Sequence, residues 1–237
     1  AVPPLADGGE ETPIPGLVAS NPWRRAGDGS ADGQIKDIIS ASRGFLSRGV
    51  PSPEAGKVQE SSEQKNEGGK IGWDKGELKG NELGKYYKYA DQSFSISISN
   101  TVRAIASYSR SLAALVIHHE AGHADAPDKI GEGVITGEVP AFMAMYYVLS
   151  SFEKIAPGTL AMTWQDADND LRKDPKDWVA AKTKSYLEVL NKLLGTGGEE
   201  NKVRQLVYEI GYRDGGHTHD DGHDHDREKD GHAVPSA

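Results

Sequence analysis

The chain has 237 residues, no cysteine and a formal net charge of −9 at pH 7. A hydrophobic fraction of 36% together with 28 glycines indicates one moderate core domain with less ordered sequence around it. The composition excludes a disulfide framework. Because the sequence has neither a long apolar run nor a compact basic patch, we expect no membrane span and no nucleic acid as a partner.

Both ends of the chain are predicted to be disordered. Residues 1–33 are rich in proline, glycine and acidic residues and lack hydrophobic periodicity, which is typical of a leader or linker. The sequence begins without Met and has no signal segment, so we expect a mature fragment or a piece cut from a larger protein. A folded domain is predicted over residues 34–212, and a His/Asp-rich tail over residues 213–237.

The first half of this domain is predicted to contain a helix and a hairpin. Apolar residues at helical spacing predict a helix over residues 34–47, whereas the polar, glycine-rich residues 49–81 are expected to be weakly ordered. Phe94, Ile96 and Ile98 alternate with serines, which predicts a strand with one buried face. We therefore expect a hairpin over residues 86–99, with its turn at residues 90–92.

A longer helix is predicted after the hairpin. Ser99 or Asn100 can cap its start, and apolar residues recur at three- and four-residue spacing as far as His119. Ala126 ends the helix, because the residue before a proline avoids the helical region.

This helix carries the run His119-Glu120-Ala121-Gly122-His123, an H-E-x-x-H motif. Residues four apart lie on one face of a helix, so the two imidazoles can hold one zinc ion with Glu120 beside the metal's water. That arrangement is typical of metal-dependent hydrolases. His118 lies about 100° away around the helix, and we expect it behind the ligands or at the surface.

A catalytic zinc site usually has three protein ligands, so the sequence must supply one more. No histidine lies between His123 and His217, and Lys129 stands where the extended motif H-E-x-x-H-x-x-G-x-x-H has its last histidine. A third ligand near the motif is therefore a carboxylate. The candidates are Asp125, Asp128, Glu132 and Glu138.

Glu138 is predicted to open a second helix over residues 138–152, with Pro140 in its first turn. Glycines at 131, 133 and 137 break the chain before it, which allows the second helix to fold back on the first. Two alternatives stay open. Glu138 can be a helix N-terminal carboxylate stabilised by the macrodipole, and Asp128 is its main competitor for the ligand role.

With Glu138 followed by Ala141 in a Glu-x-x-Ala pattern, the segment from His119 to about residue 142 resembles the gluzincins. In that family of zinc metallopeptidases, a glutamate from the next helix completes H-E-x-x-H. The resemblance implies that His119, His123 and Glu138 bind Zn²⁺, that Glu120 is the catalytic base, and that the chain is an endopeptidase acting on protein or peptide substrates. It also implies a zincin-like core of α+β class, mostly helical, with a small sheet.

Two further expectations accompany the resemblance. Zincins commonly use a tyrosine or histidine to stabilise the oxyanion, and Tyr146, Tyr147 and Tyr208 are candidates here, although helical tyrosines are often packing residues. In zincins an edge strand just upstream of the motif helix binds the substrate backbone. The strand over residues 94–98 is placed for that role or only covers the core.

The second half of the domain is expected to be helical. One helix is predicted over residues 175–194, with Asp174 as its cap and Gly195 as its end, and another over residues 199–211. The tail that follows contains five histidines, at positions 217, 219, 223, 225 and 232. It is either a loose metal-binding segment that loads zinc or a solvated acidic tail. The alternative function is therefore a non-catalytic metal-binding protein whose tail sequesters metal.

The organisation of the chain supports one more expectation. A domain without an initiating Met, behind a Pro/Gly-rich leader, resembles the C-terminal metallopeptidase toxins or effectors carried by large bacterial delivery proteins. That resemblance implies a larger carrier as partner, and secretion or delivery into a target cell, while the sequence itself leaves the compartment undetermined.

Overall fold

The computed structural model describes residues 34–78, 82–126 and 134–211. Over these residues the fold is α+β and mostly helical with one small sheet, so the predicted fold class is confirmed. The predicted leader at 1–33, the tail at 213–237, and the ligand candidates Asp128 and Glu132 lie outside the described residues. Within the same ranges, no helix combines the length and apolarity that crossing a membrane requires.

The described chain forms a small sheet within a set of packed helices. The strands are β1 Ile71–Trp73, β2 Gly84–Lys88 and β3 Phe94–Ile98. The helices are α1 Ile35–Leu46, α2 Pro53–Glu67, α3 Asn100–Ile105, α4 Arg110–Asp125, α5 Val134–Ile155, α6 Thr159–Lys173, α7 Trp178–Gly195 and α8 Glu200–Glu209.

The sheet has the order β1-β3-β2, so β3 is its central strand and β2 lies at one edge. β3 pairs in parallel with β1 and antiparallel with β2, with Gly84 opposite Ile98 and Tyr86 opposite Ile96. The predicted hairpin is confirmed, and the buried face that Ile96 and Ile98 were expected to provide is there. The strand nearest in sequence to the motif helix is not an edge strand, however, because β1 occupies its other side.

Helix α4 is the centre of the packing. Every residue from Ser111 to His123 is buried, and α1, α2, α5 and the sheet all pack against it. The single helix predicted from Ser99 is in fact two, α3 and α4, because a second capping serine follows. Ser99 caps α3 through the amide of Thr101 at 3.0 Å, and Ser109 caps α4 through the amide of Leu112 at 3.1 Å.

The expectation of weak order over residues 49–81 is wrong, because α2 and β1 lie there. The buried face of α2 is formed by Ala55, Gln59 and Ser62, so hydrophobic periodicity could not predict it. The sequence nevertheless contains signals for the start of this helix. Ser52 accepts a hydrogen bond from the amide of Ala55 at 3.2 Å, and Pro53 occupies the first helical position.

Two predicted helix starts also need correction. α5 begins at Val134, four residues before Glu138, so Pro140 lies inside the helix rather than in its first turn, and the reading of Glu138 as an N-terminal carboxylate fails. Asp174 does not cap α7: it follows the end of α6, and the carboxylate of Asp177 accepts from the amide of Ala180 at 3.0 Å instead.

Candidate metal centre

The two motif histidines converge on one point. His119 and His123 lie one turn apart on α4, and their Nε2 atoms are 3.2 Å apart. The rings meet edge to face, with centroids separated by 4.8 Å and planes at 87°. Both side chains are buried. The sequence prediction that these two residues share a face is confirmed.

Glu138 of α5 completes the cluster. Its carboxylate is fully buried, with Oε2 at 3.2 Å from Nε2 of His119 and Oε1 at 3.3 Å from Nε2 of His123. Asp125 turns elsewhere, since its oxygens accept from Ser61 Oγ and Lys65 Nζ at 2.5 Å each. Of the candidate third ligands that the structure describes, Glu138 is therefore the one at the histidines.

The close approach of α4 and α5 explains how Glu138 reaches the motif. A Cβ atom built on Gly122 would lie 3.0 Å from Cα of Ala141 and 3.1 Å from Cβ of Ala144, so the two helices nearly touch at this glycine. Ala141 lies three residues after Glu138, on the same face of α5. The small residue of the Glu-x-x-Ala pattern therefore allows the contact that brings the carboxylate to the histidines.

The spacing of the donor atoms is compatible with a zinc ion held by two imidazoles and a carboxylate. Zinc binds nitrogen and oxygen at about 2.0–2.1 Å, so two of its ligand atoms lie about 3.3–3.4 Å apart. The three contacts among His119, His123 and Glu138 are 3.2, 3.2 and 3.3 Å. Each histidine is nearest a different carboxylate oxygen of Glu138. If each residue offers one ligand atom, the three atoms lie within 4.8 Å of one another. The residues therefore fit a zinc ion.

Glu120 lies beside this cluster without belonging to it. It follows His119 directly on α4, about 100° around the helix, and only 6% of its surface is exposed. Its side chain packs against the main chain of β2 at Gly84. The structure thus places Glu120 beside His119 on the motif helix, with its side chain against the sheet.

Aromatic rings enclose the two imidazoles. Phe142 contacts His119 edge to face, with centroids 4.7 Å apart, and Tyr86 of β2 stacks on His123 at 6.3 Å with planes 23° apart. Both rings are buried. Sequence reasoning missed Tyr86. Because strand side chains alternate, however, a hairpin packed on the motif helix would direct every second residue of β2 towards it.

The candidate oxyanion donors lie farther along α5. Tyr146 and Tyr147 follow Glu138 by eight and nine residues, which is about 12 Å or more of helix rise. The ring of Tyr146 packs tightly against Gly198, in the turn between α7 and α8. Tyr208 is half exposed on α8. A catalytic role for Tyr146 or Tyr147 stays a prediction.

His118 is a buried part of the helix packing, neither surface residue nor member of the cluster. Its Nε2 lies 3.0 Å from Ser42 Oγ of α1, and its Nδ1 lies 2.7 Å from Ser62 Oγ of α2. Ser42 donates its proton to Gln59 Oε1 at 2.7 Å, so it must accept from Nε2–H of His118, and Ser62 then donates to Nδ1. Burial lowers the pKa of His118 from 6.5 to about 3, which keeps this imidazole neutral.

No protein-family model, no curated protein and no solved structure gives a significant match to this chain. The resemblance to zinc metallopeptidases that the motif suggests therefore stays a prediction.

Proposed function

We propose that the chain is a zinc-dependent endopeptidase. The observation that carries the proposal is the buried carboxylate of Glu138, which lies within 3.3 Å of both motif histidines although it comes from a different helix. The carboxylate and the two imidazole nitrogens converge from two helices, so a single cation between them could be held by all three residues. The donor set of two nitrogens and a carboxylate is one that catalytic zinc sites use.

Each residue has a distinct part in the proposed reaction. His119, His123 and Glu138 would hold the ion, and a bound zinc would supply Lewis-acid polarisation of a carbonyl and acidify a water. Glu120 accepts the water's proton and delivers it to the leaving amine. Phe142 and Tyr86 exclude bulk water from the imidazoles, which strengthens electrostatic interactions in the site.

The edge of the sheet supports a peptide as the substrate. The amide of Ser99 donates to the carbonyl of Leu83 at 2.9 Å, so alternate residues of β2 from Leu83 onwards direct their main-chain groups towards β3. The N–H and C=O of Gly84, between them, point away from β3, while the face of the strand at Gly84 packs on Glu120. The strand is buried from Gly84 to Tyr86 and part-exposed beyond it, so an extended peptide would add to β2 at its Lys88 end. The docking strand we propose is thus β2 rather than β3.

The substitution Glu120→Gln tests the enzymatic part of the proposal. It keeps the size of the side chain but removes its basicity, so cleavage of a peptide library should fall by at least about 100-fold, while zinc content measured by mass spectrometry stays at one ion per chain. Asp125→Asn is the matched control, because it neutralises a carboxylate on the same helix that faces Lys65 instead.

Two results would count against a peptidase. Cleavage that survives Glu120→Gln unaltered would show that the activity has another source. Zinc binding without cleavage of any peptide would favour the non-catalytic metal-binding protein. A chain ending at Tyr212 distinguishes zinc binding by the described cluster from zinc binding by the His-rich tail. Retention of one zinc without the tail supports the cluster, whereas complete loss supports sequestration by the tail.

A further inference from the structure

The start of β2 approaches Glu120 more closely than a side chain would permit. A Cβ atom built on Gly84 would lie 2.6 Å from Cγ, 2.8 Å from Cδ and 2.7 Å from Oε1 of Glu120. Non-bonded carbon atoms normally stay about 3.5–4.0 Å apart. The side chain of Glu120 therefore packs directly on the main chain of the strand.

Gly84 is needed at this position for space and not for its conformational freedom. It is not among the glycines with positive φ, and residues with side chains adopt its backbone conformation readily. Glycine weakens a strand, and in strands it often marks a place where another group approaches closely. Gly72 of β1 provides a comparison in the same sheet, because nothing lies within 4 Å of a Cβ atom built there.

Neither partner in this contact can easily withdraw. Gly84 pairs with Ile98, a fully buried residue of the central strand, whose carbonyl accepts from Asp74 at 2.8 Å on the other side. Glu120 belongs to α4, which is buried over its whole motif. A methyl group at Gly84 must therefore be accommodated by rotation of the Glu120 side chain.

We infer that Gly84 is a positioning residue, whose bare main chain seats the carboxylate of Glu120 beside His119 and His123. The role of Glu120 as base rests on the proposed function, whereas the contact itself does not. A glutamate side chain has three rotatable bonds. The main chain of β2 on one side of Glu120 excludes the rotamers that would point towards the strand. Misplacing a catalytic group by about 1 Å can lower a rate by about 100-fold.

Thermal unfolding of a double-mutant cycle tests the contact independently of activity. Gly84→Ala should lower Tm by about 2–12 °C, the range expected for overpacking in a domain of this size. Gly84→Ala should cause the same loss of Tm in the Glu120→Gln background, because glutamine keeps the atoms that the added methyl group meets. In the Glu120→Ala background, which lacks those atoms, Gly84→Ala should lower Tm far less. This comparison remains possible even if Gly84→Ala alone fails to fold. Gly72→Ala, the matched control, should show no such dependence on residue 120.

Enzyme kinetics tests the positioning. In zinc-loaded Gly84→Ala, kcat should fall by about 100-fold with KM and zinc content unchanged, whereas Gly72→Ala should retain the kcat of the wild type. In wild-type protein, a nuclear Overhauser effect between an Hα of Gly84 and the Hγ protons of Glu120 should be present.

Three results would overturn the inference: absence of that nuclear Overhauser effect, a Tm loss for Gly84→Ala that is the same in all three backgrounds, or an unchanged kcat. A wild type that cleaves no peptide would refute the proposed function instead. In that case the unfolding cycle and the nuclear Overhauser effect still decide whether Gly84 seats Glu120.

Discussion

At the scale of single residues, the neutral imidazole of His118 links three helices behind the candidate metal centre. It accepts from Ser62 of α2 and donates to Ser42 of α1, and Ser42 in turn donates to Gln59. Each of these side chains is at most 1% exposed. Because every polar atom in the chain of hydrogen bonds has a partner, the network can lie in the core without an unsatisfied group.

The lowered pKa of His118 makes this network sensitive to acid. The unfolded chain binds a proton at this residue below about pH 6.5, whereas the folded protein keeps it neutral down to about pH 3. The stability that the neutral state contributes is therefore present above pH 6.5 and is lost as the pH falls towards 3. His118→Asn should destabilise the protein by about 1–3 kcal/mol at pH 7, and the difference from wild type should shrink at pH 4.

Chemical denaturation of the two proteins at both pH values, with zinc removed by a chelator, measures this difference. His119, His123 and Glu138 are the same in both proteins, so their titration cancels in the comparison. Equal differences at pH 7 and pH 4 would show that His118 is not kept neutral by burial.

Single residues also show what the sequence could and could not predict about the site. His119, Glu120 and His123 were predicted because a local spacing carries their chemistry, and Glu138 could be ranked first among several carboxylates. Gly84 could not be found in this way. Its requirement for glycine depends on contact with a residue 36 positions away, and no local pattern records such a contact.

At the scale of secondary-structure elements, the crossing of α4 and α5 at Gly122 determines whether the centre can form. The carboxylate and the imidazoles come from different helices, so the distance between the helix axes sets the distances between the ligand atoms. Gly122 holds α4 within van der Waals contact of Ala141 and Ala144. A larger residue would separate the helices and thereby move Glu138 away from the histidines.

Substitution of helical glycines by alanine should therefore have opposite effects at two positions. Gly56→Ala in α2 meets nothing within 4 Å and should stabilise the protein by about 0.5–1 kcal/mol through helix propensity. Gly122→Ala should destabilise it by about 1–3 kcal/mol through overpacking and weaken zinc binding. Denaturant unfolding and zinc titration measure both effects. A stabilising Gly122→Ala with unchanged zinc affinity would contradict the proposed helix contact.

Helices and strands could be predicted from the sequence where they bury one face and that face is apolar. The helix at Ile35–Leu46 and the strand at Phe94–Ile98 follow their hydrophobic patterns. The helix at Pro53–Glu67 does not, because its buried side chains are small or polar, and two of them, Gln59 and Ser62, belong to the His118 network. Hydrophobic spacing does not reveal the division between α3 and α4, because the apolar period continues across it and only the capping Ser109 marks the second start.

At the scale of the whole molecule, α4 is the element on which the account depends. It is buried by helices on several sides and by the sheet on another, and the candidate ligands, the proposed base and the His118 network all lie on it or against it. Zinc bound between α4 and α5 would add a link between two central helices. Since a ligand of the folded state stabilises it, unfolding should report metal binding.

Zinc K-edge X-ray absorption on a chain ending at Tyr212, loaded with one zinc per chain, tests the central claim most directly. The account predicts a four-coordinate ion with only nitrogen and oxygen ligands at about 2.0–2.2 Å, two of them imidazoles. Glu138→Gln should weaken zinc binding strongly, and Asp125→Asn should leave the affinity and the spectrum unchanged. The account would be contradicted if a chain ending at Tyr212 bound no zinc. It would also be contradicted if Glu138→Gln changed neither the absorption spectrum nor the zinc affinity.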